Sequence, residues 1–366
     1  MNLLIFLTTL LTALVLGVKT ASITKQQYSI PLYKHHFKAG LRRATEQLSN
    51  YHTSGLNDIA YYGPITIGKQ QFQVMFDSGS PLLWVPAQNC SSGGCTGHTK
   101  FNQNVTAIAS FNIQYVLGFS QGYLAEIDMS LAGLTVSKQR FGLSYNISSE
   151  FAAYPFDGIL GLSPREYPNI GNLNPIKTLI NQNTIDPYVS FHLSRYDDTN
   201  KGDQGTLTLG GIDNSKFTGS INYNNLTDST EWWQVSIDNV MVAGKSTVQQ
   251  RSAIIDTGTT VITAPRKDAD EIHSIISGIY NPAYEMYTIP CTTVFNMSLV
   301  FGGILYQIDD RDIIIRQNGI CLSGMIPDST IGSAWVVGDV FLKNVYTVFN
   351  YANLSVGFAP SVKLQS

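Results

Sequence analysis

The chain has 366 residues, enough for two domains, and 13% of them are charged, against about 25% in an average globular protein. Apolar residues make up 43%, with 19 Tyr and 17 Phe, so a large core can form. The net charge is −3, and the chain beyond residue 50 is acidic and lacks basic clusters with interleaved aromatic residues, which argues against a nucleic-acid-binding protein.

The first 17 residues are almost wholly apolar or hydroxylic, and they end in small residues that would permit cleavage. This pattern predicts a secretory signal peptide over residues 1–17, although the usual positive residue before the apolar run is missing. An uncleaved membrane anchor is the alternative, but the run is short for a spanning helix. We therefore expect no membrane association once the signal has been removed.

Residues 18–50 form a basic leader that carries six Lys and Arg residues against Glu46 alone. The remainder of the chain is acidic, so we expect the leader to bind the body that follows it. Residues 31–48 are predicted to be helical and carry most of the positive charge. A solvated basic helix with no binding role is the alternative interpretation.

Beyond the leader, short runs rich in Val, Ile, Tyr, Phe and Thr alternate with turn residues, as in an all-β protein. The predicted strands include Tyr61–Ile67, Gln71–Phe76, Leu82–Val85, Gly205–Gly211 and Trp232–Val242. Helical patterning is scarce, and the better candidates are Asn174–Asn183 and Arg266–Ser277. A boundary near residues 218–228 would divide the body into an N-terminal lobe over 51–222 and a C-terminal lobe over 223–366.

Four cysteines, an even number in a chain predicted to be secreted, imply two disulfides. Sequence proximity favours Cys90–Cys95 and Cys291–Cys321 over the two other pairings. A metal site is the competing interpretation, but the cysteines form no Cys-x-x-Cys pair, so we expect no metal. Possible glycosylation sequons occur at Asn89, Asn104, Asn146, Asn225, Asn296 and Asn353.

Two nearly identical tripeptides, Asp77-Ser78-Gly79 and Asp256-Thr257-Gly258, occur one in each half of the chain. Each comes directly after an apolar run, and each is followed by a hydroxyl residue, Ser80 or Thr259. Asp, Ser, Thr and Gly are common in turns, so the three-letter match alone could reflect two unrelated turns at strand ends.

A wider repeat strengthens the match. Ile159-Leu160-Gly161 follows the first aspartate at nearly the same distance as Val336-Val337-Gly338 follows the second. This indicates a duplication, in which two lobes of similar build each contribute one aspartate to a shared cleft. Two carboxyl groups that face each other can hold one water molecule, and such a pair can hydrolyse an amide by acid–base catalysis.

These motifs resemble those of the pepsin-like aspartic proteases, the group of pepsin, cathepsin D and renin. The resemblance spans roughly residues 28–360, and it is carried by the segments 76–86, 155–164, 205–213, 232–240, 253–260 and 336–350. Residues 28–43 resemble the inhibitory pro-segment of such zymogens. The resemblance implies an all-β, bilobal double β-barrel with a central cleft and few short helices, as a monomer without metal or organic cofactor.

The resemblance also implies that Asp77 and Asp256 are the catalytic pair. Six neighbouring residues would hold their carboxyl groups or brace the two loops: Ser78, Gly79, Ser80, Thr257, Gly258 and Thr259. Carboxyl groups about 3 Å apart cannot both ionise, so they share one proton, an effect for which aspartic proteases are the general example. One member would take a proton from the water while the other protonates the peptide carbonyl.

Other residues match the substrate-binding part of the family site. Tyr115 corresponds to the tyrosine of the flap, a hairpin that covers the cleft, and Trp84 to its hydrogen-bond partner. Gly118 would belong to the same flap. Phe156 and Ile159 are expected to line an apolar pocket.

The predicted function is that of an acid endopeptidase that cleaves polypeptides between large apolar residues. The flap departs from the family pattern, because Val116 and Leu117 replace Gly and Thr before Gly118. This departure motivates the alternative of a catalytically inactive homologue that binds ligands in its cleft. A serine hydrolase is a remote third interpretation, because the chain lacks a Gly-x-Ser-x-Gly motif.

The leader would act as an intramolecular inhibitor whose cations pair with carboxylates of the body, through Lys34, Lys38, Arg42 and Arg43. Acid would protonate those carboxylates, release the leader and permit self-cleavage near residues 45–55. The expected location is secreted, with the lysosome as the alternative.

Overall fold

The computed structural model describes residues 43–53, 56–115, 118–164, 173–195, 205–227, 231–317, 319–328 and 332–362. The predicted signal peptide and most of the predicted leader, with Lys34, Lys38 and Arg42, lie outside the described residues. The same holds for Val116 and Leu117 of the flap.

Strands dominate the described residues. In the N-terminal half they are β1 (Ala44–Gln47), β2 (Ser49–Thr53), β3 (Leu56–Ile67), β4 (Gln70–Asp77), β5 (Trp84–Pro86), β6 (Ala109–Tyr115), β7 (Gly118–Leu131), β8 (Leu134–Ile147), β9 (Gly158–Gly161), β10 (Tyr188–Leu193) and β11 (Gly205–Leu209).

In the C-terminal half the strands are β12 (Asn222–Asn225), β13 (Gln234–Val242), β14 (Lys245–Ile255), β15 (Ile262–Ala264), β16 (Ile279–Asn281), β17 (Met286–Ile289), β18 (Met297–Phe301), β19 (Ile304–Gln307), β20 (Ile314–Gln317), β21 (Ile320–Ser323), β22 (Met325–Pro327), β23 (Trp335–Val337), β24 (Val345–Asn350) and β25 (Ser355–Pro360). The helices are α1 (Pro175–Asn181), α2 (Arg266–Ile275), α3 (Asp310–Ile313) and α4 (Asp339–Leu342), with 3-10 turns at Gly93–Cys95 and Ser149–Ala153.

Four sheets organise these strands. The N-terminal half contains an eight-stranded sheet in the order β2-β3-β4-β9-β5-β8-β7-β6. The C-terminal half contains a seven-stranded sheet, β19-β18-β13-β14-β23-β15-β22, and a four-stranded sheet, β16-β17-β21-β20. A six-stranded sheet, β1-β11-β10-β24-β25-β12, takes strands from both halves and joins them. The chain therefore has the predicted bilobal all-β architecture.

The two helices predicted from sequence are present as α1 and α2, each slightly shorter than predicted. Asn174 caps α1, because its side chain accepts a hydrogen bond from the Ile176 N–H at 2.9 Å. Pro175 occupies the first turn, where a missing N–H costs nothing. Helix α2 buries Ala269 and Ile272 on one face against the C-terminal lobe.

The predicted helix over residues 31–48 is wrong where the structure describes it. Residues Ala44–Gln47 form β1, which pairs antiparallel with β11 from Ala44↔Leu209 to Gln47↔Thr206. Residues 31–42 lie outside the described residues. Pairing with β11 satisfies the backbone groups of an otherwise open sheet edge, a long-range gain that outweighs local helix propensity. The last part of the predicted leader thus belongs to the sheet that joins the lobes.

Both predicted disulfides, Cys90–Cys95 and Cys291–Cys321, are present, and no cysteine is free. The first closes a short loop in the N-terminal lobe, and the second ties β21 to the segment before β18. Within the described parts of the chain, no helix combines the length and the apolar character needed to cross a membrane.

A buried network of charges connects the two lobes. The Lys343 ammonium group lies 3.0 Å from Asp58 Oδ2 in the N-terminal lobe and 3.1 Å from Asp312 Oδ1 in α3. Asp312 also accepts two hydrogen bonds from Arg195, which follows β10. Burial opposes ionisation of Asp312, but Lys343 and Arg195 outweigh it and hold its pKa below the usual value. Removal of any one of these partners would therefore leave a buried charge without its counter-ion.

We expect Lys343→Met to lower the free energy of unfolding by about 3 kcal/mol, because removal of one member of a buried ion pair leaves uncompensated charge behind. Urea denaturation near pH 6, above the usual pKa of an Asp side chain, measures this loss. Lys245→Met, at an exposed position at the start of β14, is the matched control and should change stability by less than about 0.5 kcal/mol. Equal effects of the two substitutions would contradict the assignment.

Candidate active site

The two aspartates stand at equivalent ends of two strands. β4 ends at Asp77 and runs parallel to β9, with Asp77 opposite Gly161. β14 ends at Ile255, directly before Asp256, and runs parallel to β23. The Asp256 N–H donates to the Val337 carbonyl at 3.1 Å. The repeated apolar-apolar-Gly segments are therefore the parallel partners of the strands that deliver the aspartates.

A close steric contact explains why glycine stands at the end of β9 and directly after β23. A side chain at Gly161 would lie 2.5 Å from the Ser80 carbonyl oxygen, and one at Gly338 would overlap the Thr259 carbonyl oxygen. In each lobe the partner strand passes directly against the loop that follows the aspartate. Only glycine permits that approach, which explains why both halves of the repeat retain it.

Each loop is braced by the other through a buried hydroxyl group. Ser78 Oγ accepts the Thr257 N–H at 2.9 Å and donates to the Ile255 carbonyl at 2.8 Å. Thr257 Oγ1 accepts the Ser78 N–H at 3.1 Å and donates to the Phe76 carbonyl at 2.7 Å. The four bonds are related by an approximate twofold axis. They fix the position of one aspartate relative to the other.

Within each loop, two donors hold the carboxyl group. Asp77 accepts the Gly79 N–H at 2.8 Å and the Ser80 hydroxyl at 2.5 Å, one on each oxygen. Asp256 likewise accepts the Gly258 N–H at 2.9 Å and the Thr259 hydroxyl at 2.6 Å. Both carboxyl groups are thereby held in defined planes.

Gly79 and Gly258 also let the two carboxyl groups approach each other across the junction between the lobes. A side-chain carbon at Gly79 would lie 2.5 Å from Asp256 Oδ2, and one at Gly258 would lie 2.5 Å from Asp77 Oδ1. Any larger residue would therefore displace the opposite aspartate.

Asp77 and Asp256 are fully buried, and each carboxyl group lies against the glycine of the opposite loop, which brings the two groups close together. Burial raises the pKa of both groups, and the neighbouring Asp256 raises the pKa of Asp77 further. Hydrogen bonds from Thr259 and Gly258 limit the rise at Asp256. Two neighbouring buried carboxyl groups resist ionising together, so the arrangement suits a pair in which one member is an acid and the other a base.

The predicted flap residues meet an apolar cluster beside the aspartates. Trp84 Nε1 donates to the Tyr115 hydroxyl at 2.7 Å, and the two rings lie 6.5 Å apart. Phe156 and Ile159 are buried in the same cluster. Gly118 begins the returning strand of the hairpin at φ +94°, a conformation that favours glycine. The structure thus brings all five predicted residues into one region of the N-terminal lobe.

Asp339 was not among the predicted site residues, and it occupies the position in the C-terminal lobe that corresponds to Leu162 in the N-terminal lobe. Its side chain is buried, and among the described residues neither of its carboxyl oxygens has a hydrogen-bond partner. Burial raises its pKa well above the usual value; Lys343 opposes the rise, while Asp256 adds to it. A single acidic residue inside the apolar run 335–342 was the signal that could have identified it.

No group of three or more His, Cys, Asp or Glu side chains in the described ranges is placed to hold a metal ion.

Comparisons with known proteins agree with this geometry. The family model for eukaryotic aspartyl proteases matches residues 60–361. Cathepsin E of Aquarana catesbeiana is 36% identical over 87% of this chain and 82% of its own length. Pepsin A of Rhinolophus ferrumequinum is 33% identical over 90% and 87%, and the aspartic-type endopeptidase ctsD of Aspergillus fumigatus is 32% identical over 84% and 68%.

The chain belongs to the eukaryotic aspartyl proteases. It is an aspartic-type endopeptidase by its membership of that pepsin-like family.

We expect Thr259→Ala to lower kcat by about 10- to 100-fold, because a hydrogen bond to a charged group contributes about 1.5–3 kcal/mol. Thr259→Ser keeps the hydroxyl group that Asp256 accepts and should retain kcat within about threefold of the parent. Steady-state kinetics on one peptide substrate at acid pH distinguishes the two variants. Similar losses in both would show that the methyl group, not the hydrogen bond, matters.

Asp339 should make the fold more stable in acid. Its folded-state pKa is raised, so its contribution is fully present below the unfolded pKa of about 4 and is lost as pH rises through the folded pKa. Asp339→Asn should therefore reduce the fall in melting temperature between about pH 4 and pH 7. Asp238→Asn, at an exposed position in β13, is the matched control. An unchanged pH dependence in Asp339→Asn would refute this role.

Proposed function

We propose that this protein is an active acid endopeptidase in which Asp77 and Asp256 share one proton and activate a water molecule. The observation that carries the proposal is the matched geometry of the two carboxyl groups. Each is buried and held by one backbone amide and one hydroxyl group, and the glycine of each loop lies against the opposite carboxyl group. A pair arranged in this way can give and take a proton in one step.

In the proposed mechanism the ionised member of the pair removes a proton from the bound water as the water oxygen attacks the peptide carbonyl carbon. The protonated member donates its proton to the carbonyl oxygen, which becomes a hydroxyl group of the tetrahedral intermediate. The C–N bond then breaks as the nitrogen takes the proton gained from water. The proton on the hydroxyl group returns to the pair, which restores its starting state.

The raised pKa values define the direction of the pH dependence. Because burial holds a proton on the pair, the acid form persists to higher pH than for an ordinary Asp. Activity should be lost as pH rises through the upper apparent pKa, where both groups ionise, and again in strong acid, where both are protonated. We therefore place the working range in acid.

The substrates that we propose are polypeptides cleaved between large apolar residues. The apolar cluster with Tyr115 and Trp84 lies beside the aspartates, and Tyr62 and Tyr154 are partly buried against it. The cluster itself is buried, so its partly exposed edge at Tyr62 and Tyr154 is the apolar surface that we propose binds substrate side chains by excluding water.

The alternative is an inactive homologue that binds ligands in its cleft. It is motivated by Val116 and Leu117 at the tip of the flap. Against it, both aspartates are retained, and so are the glycines and hydroxyl groups that hold them. We therefore favour catalysis.

We further propose that the leader keeps the protein as a zymogen. Arg43, the one predicted leader cation among the described residues, donates to the Ile212 carbonyl at 2.8 Å and lies 3.7 Å from Asp213. Burial opposes ionisation of Asp213, but Ser215 and Arg43 hold its pKa below the usual value. Such a pair is present above about pH 4 and weakens as pH falls, so acid would loosen the leader and permit cleavage near residues 45–55.

Two disulfides favour an oxidising compartment. We propose that the protein is secreted as a monomeric glycoprotein, with the lysosome as the alternative destination. The signal peptide over residues 1–17 would direct this export.

Asp77→Asn and Asp256→Asn should each lower kcat/KM by at least about 100-fold, because each removes a member of the acid–base pair. Stability should be equal or higher, because no buried carboxyl group then has to ionise at that position. Cleavage of unfolded protein by the leader-free enzyme at about pH 3–5, with a statine-type mimic of the tetrahedral intermediate as inhibitor, measures the activity, and urea denaturation of the same variants measures their stability. A parent protein that binds peptides in acid without cleaving them would support the inactive homologue instead.

A further inference from the structure

The base of the flap is held by residues outside the aspartate loops. β6 and β7 form the hairpin, with Tyr115 opposite Gly118 and Gln114 opposite Phe119. The side-chain nitrogen of Gln114 donates to the carbonyl oxygens of Tyr115 and Gly118, each at 3.0 Å. One side chain therefore bridges the two strands directly below the tip.

Ser148 holds the same point from the other side of β7. Its N–H donates to the Phe119 carbonyl at 3.1 Å, and its Oγ accepts the Phe119 N–H at 2.9 Å. Both backbone groups of Phe119 are thus satisfied by one residue that follows β8. A backbone N–H left without an acceptor in this part-buried position would cost free energy.

Gly118 lies directly against the Ser148 hydroxyl group. A side-chain carbon at position 118 would overlap Ser148 Oγ, and the φ of +94° independently favours glycine there. The absence of a side chain is therefore what lets Ser148 reach the backbone of the hairpin.

Ser148 also begins the 3-10 turn that supports the tyrosine. It precedes Ser149–Ala153, and the Phe151 N–H donates to its carbonyl at 3.2 Å. The Phe151 ring packs edge-on against both Trp84, at 5.3 Å between ring centroids, and Tyr115, at 6.0 Å. The segment after β8 thus contacts the flap at its base through Ser148 and at Tyr115 through Phe151.

We propose that Ser148 is a positioning residue that fixes Gly118 and Phe119 at the base of the flap and so sets the affinity for peptide under Tyr115. It acts through the backbone of β7 and does not belong to the aspartate loops. The inference rests on the proposed proteolytic function, because it assigns a role in binding the substrate of that site.

The expected signature is a change in binding with little change in chemistry. Ser148→Ala removes the acceptor of the Phe119 N–H and should raise KM about tenfold, while kcat stays within about twofold of the parent. Ser148→Thr keeps the hydroxyl group and should restore KM to within about threefold. Ser130→Ala, at the other end of β7, is the matched control and should leave both parameters unchanged.

Two further measurements separate positioning from folding. The dissociation constant of a statine-type inhibitor, measured by calorimetry, should weaken about tenfold in Ser148→Ala and recover in Ser148→Thr. Melting temperatures show whether the variants are folded to the same extent. A Ser148→Ala variant with unchanged KM and unchanged inhibitor affinity overturns the inference. So does one that loses kcat and stability without a change in affinity.

The same experiments distinguish failure of the proposed proteolytic function from failure of the proposed role of Ser148. If the parent binds the inhibitor but cleaves no peptide, proteolysis is refuted, whereas the inhibitor affinities of the Ser148 variants still decide the role of Ser148.

Discussion

The site depends on one interaction between the lobes, the reciprocal hydrogen bonding of Ser78 and Thr257. Each hydroxyl group accepts an N–H from the opposite loop and donates to a carbonyl of that loop. Buried polar groups are costly unless all are satisfied, and here each group finds its partner only when the lobes meet in one orientation. The separation of Asp77 and Asp256 is thereby coupled to the packing of the whole molecule.

The two halves of the junction are symmetric in their hydrogen bonds and asymmetric in their surrounding charge. The position after the glycine of the repeated segment is Leu162 in the first lobe and Asp339 in the second, where Asp339 begins α4 and Lys343 directly follows that helix. Because an interaction between two titrating groups is reciprocal, ionisation of Asp339 would raise the pKa of Asp256 just as Asp256 raises that of Asp339. The protonation of the pair is therefore tied to a buried network that also holds the lobes together through Asp58.

The sequence was sufficient for features that depend on local pattern. The paired tripeptides, the two disulfides and the helices α1 and α2 all carry short signals, such as a capping Asn followed by Pro. Features that depend on pairing between distant strands could not be predicted in this way. Ala44–Gln47 was predicted to be helical because local pattern does not reveal its strand partner β11, which lies far along the chain. Ser148 is a common residue type, and its contact with Phe119 arises only from the register of β7 and β8. Asp339 lies between these cases, since an acidic residue in an apolar run was visible but its partners were not.

The departure at the flap can be weighed against what surrounds it. Val116 and Leu117 differ from the family pattern, whereas the residues that hold the hairpin on either side of them, Gln114 and Gly118, make a closed set of contacts with Ser148 and Tyr115. Gly118 is retained where a side chain would collide with Ser148. The contacts described at the base are made by Gln114, Gly118 and Ser148. We therefore propose that the replacements at positions 116 and 117 change the preference for substrate side chains and leave catalysis by the aspartate pair in place.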